Sequence, residues 1–213
     1  MNRRWRLAVA WTAAAWLLAA CAGTPGRMAP TDTAGAPDPE RDAAALFARA
    51  LLAQDAGNDA TATALLREVI TLTPDRAAPH TNLGILLRRA GQLDDAVQEY
   101  ETAIRLDPAD AAAYHNLGLV HRSRGAFAEA ERAYARALEL RPNQADTHYN
   151  LGILYELYLN RPQDALTHYR AVVTLGSPDV DTIAGWIRTL ERRAAQDDDS
   201  RRDTGSDRER TPA

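Results

Sequence analysis

Apolar residues through the middle of the chain recur at i, i+3, i+4 and i+7, with polar residues filling the positions between. In residues 111–124 one face carries Tyr114, Leu117, Gly118 and His121. A second run aligns Ala130, Tyr134, Ala137 and Leu138, and a third, near the C-terminus, aligns Ile183, Trp186, Ile187 and Leu190. Gly125, a residue able to take positive φ, marks the end of the first run. Pro142 follows Leu140 and stops the second. The pattern predicts pairs of antiparallel helices, each pair interlocking small and large residues. Gly118, with no side chain, marks a place where the partner helix comes close. Composition agrees with helix: Ala, Leu, Arg, Glu and Gln are abundant, while aromatics make up only 6%.

The helical unit repeats. Asn82-Leu83-Gly84 returns as Asn116-Leu117-Gly118 and as Asn150-Leu151-Gly152, each 34 residues on. Gly91 and Gly125, Ala96 and Ala130, Tyr100 and Tyr134, Ala103 and Ala137, and Pro108 and Pro142 keep the same 34-residue step. This spacing resembles the tetratricopeptide repeat (TPR), a helix–turn–helix unit. The resemblance implies an all-α fold, a short right-handed α-solenoid with repeats at 77–110, 111–144 and 145–179. An earlier, degenerate copy at 43–76 keeps Leu46, Gly57, Ala62, Leu66 and Pro74. The last copy departs from the pattern, and its turn from Tyr158 to Pro162 is expected to hold one extra residue. The Ile183–Leu190 stripe is expected to form a capping helix over 180–196, with Arg188, Glu191, Arg192 and Arg193 facing water. The TPR domain so defined spans 42–196.

The first residues read differently. Asn2 to Arg6 is positively charged, Leu7 to Leu18 is apolar, and Leu18-Ala19-Ala20-Cys21 closes the segment. The apolar run is shorter than the roughly 20 residues needed to span a bilayer core, and the three-part layout is that of a secretory signal over residues 1–20. The Leu-Ala-Ala-Cys ending resembles the lipobox of bacterial lipoproteins. That resemblance implies cleavage before Cys21, acylation of its sulfur and of the new amino end, and anchoring to a membrane by several acyl chains. Ala22 in place of Asp implies sorting to the outer membrane, facing the periplasm. Residues 22–41, rich in Ala, Gly, Pro, Thr and Asp, are expected to be a disordered tether, with reach near 25 Å by flexible-chain scaling. Residues 197–213 are charged, poor in apolar groups, and expected to be a disordered tail.

Charge and chemistry narrow the function further. The formal net charge of −4 becomes −7 once Arg3, Arg4 and Arg6 of the leading segment are set aside, which argues against nucleic-acid binding. Cys21, the single cysteine, excludes an internal disulfide. The five histidines, His80, His115, His121, His148 and His168, form no His-x-x-x-His pair, so no metal site is expected. The glycines stand singly, with no phosphate loop and no Gly-x-Ser-x-Gly elbow. Asp94, Asp95 and Glu99 are read as helix-start or surface carboxylates. Neither a catalytic constellation nor a cofactor is expected.

What remains is recognition. In TPR solenoids the first helix of each pair lines a concave surface. By position that surface holds Thr81, Asn82, Ile85, Arg88 and Arg89, then His115, Asn116, Leu119, Arg122 and Ser123, then Tyr149, Asn150, Ile153 and Glu156. The asparagines form a ladder of amides able to donate and accept along an extended peptide. Arg88, Arg89 and Arg122 suggest an acidic segment in the partner. The clamp used by this family's heat-shock-tail binders is absent, since Ala112 or Asp146 stands at its later lysine position and asparagine replaces its arginine. The expected function is an outer-membrane-anchored adaptor that binds periplasmic or envelope proteins. Similar bacterial lipoproteins support pilus secretins or regulate cell-wall enzymes. An accessory or catalytic subunit of a cell-wall enzyme and a self-associating structural envelope protein are the alternatives.

Overall fold

In the computed structural model the described residues are 38–176 and 180–208, with side chains to residue 196. Cys21, the 1–20 signal segment and most of the 21–41 tether fall outside them. The described chain is helical throughout and contains no strand. Four antiparallel pairs follow one another: α1 (Pro39–Asp55) with α2 (Asp59–Leu72), α3 (Ala77–Arg89) with α4 (Leu93–Leu106), α5 (Ala111–Ser123) with α6 (Phe127–Leu140), and α7 (Ala145–Ile153) with α8 (Pro162–Thr174). A last helix, α9 (Val180–Arg208), packs on α8. Each pair also packs on the next, so the core is a run of seams along an α-solenoid.

The repeating core unit is one glycine beneath one tyrosine. A Cβ on Gly84 would come within 2.6 Å of the Tyr100 ring; the same approach is 2.6 Å for Gly118 to Tyr134 and 2.5 Å for Gly152 to Tyr169. All three tyrosine side chains are buried, and they are the largest fully buried groups. The glycine of Leu-Gly is therefore fixed by the tyrosine twelve residues past the turn side of the same pair, and neither position can change alone.

The extra residue of the last repeat lies elsewhere than expected. The turn between α7 and α8 keeps the length of the others, and the insertion is absorbed inside the first helix as a π-helical segment, Leu154–Tyr158. There the Leu159 amide donates to the Leu154 carbonyl across five residues, at 3.0 Å. A one-residue insertion widens one helical turn at the loss of a single i→i−4 bond, leaving the turn geometry intact. Asn160, at φ 51°, then takes the left-handed position held by Gly91 and Gly125 in the earlier turns.

The two ends also differ from expectation. Helix α1 begins inside the supposed tether: Pro39 opens the helix as its first residue, and the Asp38 side chain caps it by accepting from the Glu40 and Arg41 amides at 3.2 and 3.4 Å. At the other end α9 passes residue 196 and continues to Arg208, into the expected tail. No proline falls between Pro178 and Pro212 to stop it. Ile183 and Leu190 are buried in the cap as expected, but Trp186 is only partly covered, with 37% of its surface exposed.

Candidate functional site

The residues expected on the binding surface divide into three rows along α3, α5 and α7. The first row belongs to the seams. Thr81 is buried, and its hydroxyl donates to Asp110 Oδ2 at 2.6 Å. The other oxygen of Asp110 caps α5 by accepting from the Ala112 and Ala113 amides at 3.0 Å each. One repeat later, His115 Nδ1 lies 2.8 Å from Thr147 Oγ1. Burial lowers the His115 pKa, with Arg88 and Arg122 adding to the effect against the opposing charge of Asp146. Thr81 and His115 therefore join consecutive repeats and are not surface contacts as expected. In both cases a short polar bond across the seam consumes the group.

The second row is the asparagine ladder. The side-chain amides of Asn82, Asn116 and Asn150 donate to the carbonyls of Ala78, Ala112 and Asp146, at 2.8, 2.9 and 2.7 Å. Each asparagine thus bonds its own helix one turn back, which commits one N–H and leaves the side-chain carbonyl as acceptor. Asn116 is buried, whereas Asn82 and Asn150 are half-buried. Ile85, Leu119 and Ile153 are half-buried alongside.

The third row carries charge. Arg88, Arg122 and Glu156 occupy one register, 34 residues apart. The Arg88 and Arg122 guanidinium groups reach the tyrosines of the core unit. Burial pushes the Tyr100 and Tyr134 hydroxyls up to about 12, opposed in part by these arginines. Among the described residues, Arg88 Nε, Arg122 Nη1 and both tyrosine hydroxyls are buried without a hydrogen bond of standard geometry. Neither arginine has a carboxylate within ion-pair distance. Arg89, by contrast, is exposed and pairs with Asp59 at 3.5 Å, so it is a surface ion pair rather than part of this row. Ser123 is exposed and bonds its own helix at the Leu119 carbonyl, at 2.9 Å.

At the far end Glu156 Oε2 accepts from the Tyr169 hydroxyl at 2.8 Å. Tyr149 stacks on Trp186 at 6.0 Å, and Tyr169 meets the same indole edge-on at 5.8 Å. Trp186 joins this surface from α9, a helix read from its stripe as a cap alone. Its indole spacing gave no signal of a second use.

The remaining histidines serve packing. His80 Nδ1 lies 2.6 Å from Glu99 Oε2, so Glu99 is a half-buried partner rather than a free surface carboxylate. His148 Nε2 faces the Pro142 carbonyl at 2.9 Å while its Nδ1 lies 2.9 Å from His168 Nδ1. Both bonds form when His148 donates to the carbonyl and His168 donates to His148, with both rings neutral. Burial, reinforced by His148, lowers the His168 pKa to about 4 despite nearby Asp164. The unfolded chain therefore takes up a proton below its ordinary value that the fold refuses. Stability should be complete above the ordinary histidine pKa and fall as the pH drops from about 6.5 towards the lowered value. Thermal midpoints measured across that range should show the fall, and His168→Gln should flatten it. Among the described residues no cluster of three His, Cys, Asp or Glu side chains is placed to hold a metal.

Two tetratricopeptide-repeat models match the sequence, one over residues 86–122 and one over 110–175. Residues 86–175 carry tetratricopeptide repeats. The fold is similar to that of PilF from Pseudomonas aeruginosa, at 21% identity and a TM-score of 0.65, covering 74% of this chain and 71% of that one. It is similar to MamA from Desulfovibrio magneticus RS-1, at 25% identity and a TM-score of 0.56, covering 65% and 75%. It is also similar to YrrB, a TPR protein with an unusual peptide-binding site, at 20% identity and a TM-score of 0.57, covering 70% and 76%. No curated protein matches the sequence. The TPR assignment explains the glycine–tyrosine unit and makes the chain a protein-interaction scaffold in kind.

Proposed function

We propose that this chain is a lipid-anchored adaptor of a bacterial envelope, held through Cys21 at the outer membrane, whose TPR face grips an extended acidic segment of a periplasmic protein. The observation that carries the reading is the third row: Arg88 and Arg122 stand half-buried, in register, beside buried hydroxyls, with no carboxylate to answer them. Uncompensated cations are costly to hold out of water. Elsewhere the arginines that link helices have partners, as in Arg161 with Glu131 and Arg170 with Glu191, at 2.8 and 2.6 Å. A guanidinium fork matches a carboxylate bidentately, and the asparagine carbonyls can accept from a peptide backbone. YrrB supports the class of ligand, since it has a peptide-binding site. The reading makes the solenoid a non-catalytic recruiter, serving pilus or secretin assembly or a cell-wall enzyme.

Two measurements test it. A photoreactive phenylalanine analogue in place of Tyr149 should yield a discrete crosslink in cells to one envelope protein. A crosslink found only from the outer helices would move the binding face and refute the groove. Cys21→Ser should shift the protein from the membrane to the soluble fraction, as expected when the acyl chains supply the anchor. Retention of that variant in the membrane would refute the lipid attachment.

A further inference from the structure

At the C-terminal end of the same face the chemistry inverts. Where the preceding repeats place Arg88 and Arg122, this repeat places Glu156. Beside it opens a cavity of about 250 Å³ lined by Ile153, Glu156, Leu157, Tyr169, Trp186 and Thr189. The walls are mostly apolar and aromatic. Trp186 is held in place by Tyr149 stacked on it and Tyr169 against its edge, yet part of its ring stays open. Leu157, pushed outward on the π-helical segment, is 66% exposed at the rim.

Glu156 is the carboxylate of this cavity, and one of its oxygens already takes the Tyr169 hydroxyl. No basic side chain among the described residues lies within ion-pair distance of it. Other glutamates at helix contacts do have one: Glu131 has Arg161, and Glu191 has Arg170. Burial, with the Glu156 bond, pushes the Tyr169 pKa up, so the hydroxyl stays a donor and the carboxylate keeps its charge available. An indole face, a second aromatic ring and an unpaired carboxylate around an open apolar cavity are the groups that hold a desolvated ammonium or guanidinium.

We infer that this cavity is a socket for a lysine or arginine side chain of the segment bound along the same face. The alkyl stem lies against Ile153 and Leu157, and the cationic head lies between Glu156 and Trp186. The inference rests on the adaptor reading and extends it, because it gives the bound segment a direction. Acidic residues face Arg88 and Arg122, and a basic residue follows towards α9. Neighbouring first helices pack about 10 Å apart, and an extended chain advances about 3.3 Å per residue. The acidic residues should therefore stand two or three positions apart, with the basic residue a similar step beyond.

Selection of random twelve-residue peptides displayed on phage tests both readings at once, with the full chain in detergent as bait. The native chain should enrich peptides with spaced acidic residues and a Lys or Arg at a fixed offset on one side. Glu156→Gln, which keeps a hydrogen-bond acceptor for Tyr169, should keep the acidic preference and lose the basic one. A selected peptide should bind it about tenfold more weakly, and its norleucine-for-lysine analogue should bind both proteins alike. Trp186→Leu provides a second variant with the same expected loss. Acidic peptides without a basic preference, or a basic preference unchanged in both variants, would overturn the socket and leave the adaptor reading standing. No enrichment at all would overturn both.

Discussion

Replacing Tyr134 with alanine should lower the unfolding free energy by about 3–5 kcal/mol, as for a large buried aromatic side chain. The ring is fully buried and lies against Gly118 on the facing helix. Its removal opens a cavity at the centre of a seam that the glycine backbone cannot fill. For a domain of this size the thermal midpoint should fall by roughly 10 °C, since each kcal/mol is worth about 2–4 °C. The reciprocal change gives the same unit from the other side. Gly118→Ala gains about 1 kcal/mol of helix propensity, yet its Cβ would come 2.6 Å from the Tyr134 ring. Overpacking of that kind costs about 1–3 kcal/mol or more. The double variant Gly118→Ala with Tyr134→Ala should recover part of the loss, because the new methyl then enters space the ring has left. A double-mutant cycle followed by chemical denaturation measures that coupling directly. Strict additivity would show that the glycine and the tyrosine are not one unit.

How much of this was legible in the sequence follows from what a period can carry. The 34-residue step fixed Gly84, Gly118 and Gly152 on the first helices and Tyr100 and Tyr134 on the second, so the solenoid and its pairing were readable. Asn160 was harder, because a left-handed asparagine looks like any polar turn residue until the Gly91 and Gly125 positions are laid beside it. The insertion before Tyr169 was visible as a count, but a count does not say where the helix will absorb it. A π-helical segment within the first helix and a longer turn give the same spacing.

The site was legible only as a list of faces. Helical position places Thr81 and His115 towards the groove, but their short polar bonds to Asp110 and Thr147 turn them into the seam. Those partners lie 29 and 32 residues away, and no helical periodicity relates them. Trp186 shows the converse. Its spacing with Ile183, Ile187 and Leu190 signals a buried stripe, and only the packing of α9 on the last pair leaves the indole at the edge. Ion pairing was likewise invisible: Arg88 and Arg89 are adjacent, yet Arg89 reaches Asp59 and Arg88 reaches no carboxylate.

That difference between two adjacent arginines leads to the largest expected effect on binding. Arg88→Met with Arg122→Met should weaken an acidic peptide selected on the native chain by about 100-fold or more, from charged hydrogen bonds worth about 1.5–3 kcal/mol each. Arg89→Met should change affinity little, because that side chain is exposed and already paired. The double variant should at the same time keep or raise its thermal midpoint. Half-buried cations without counter-ions destabilise the fold that holds them, and apolar side chains of similar length can stand in their place without loss. Arginines kept for packing would give the opposite pair of results, a lower midpoint and unchanged peptide affinity. Stability that rises while binding falls is the expected behaviour of groups held at a cost to the fold for a ligand that answers their charge. Anisotropy titrations at low and high salt, beside denaturation of the same samples, measure both quantities. The affinity of the native chain should fall with salt more steeply than that of the variant, because the two ion pairs are the part that salt screens.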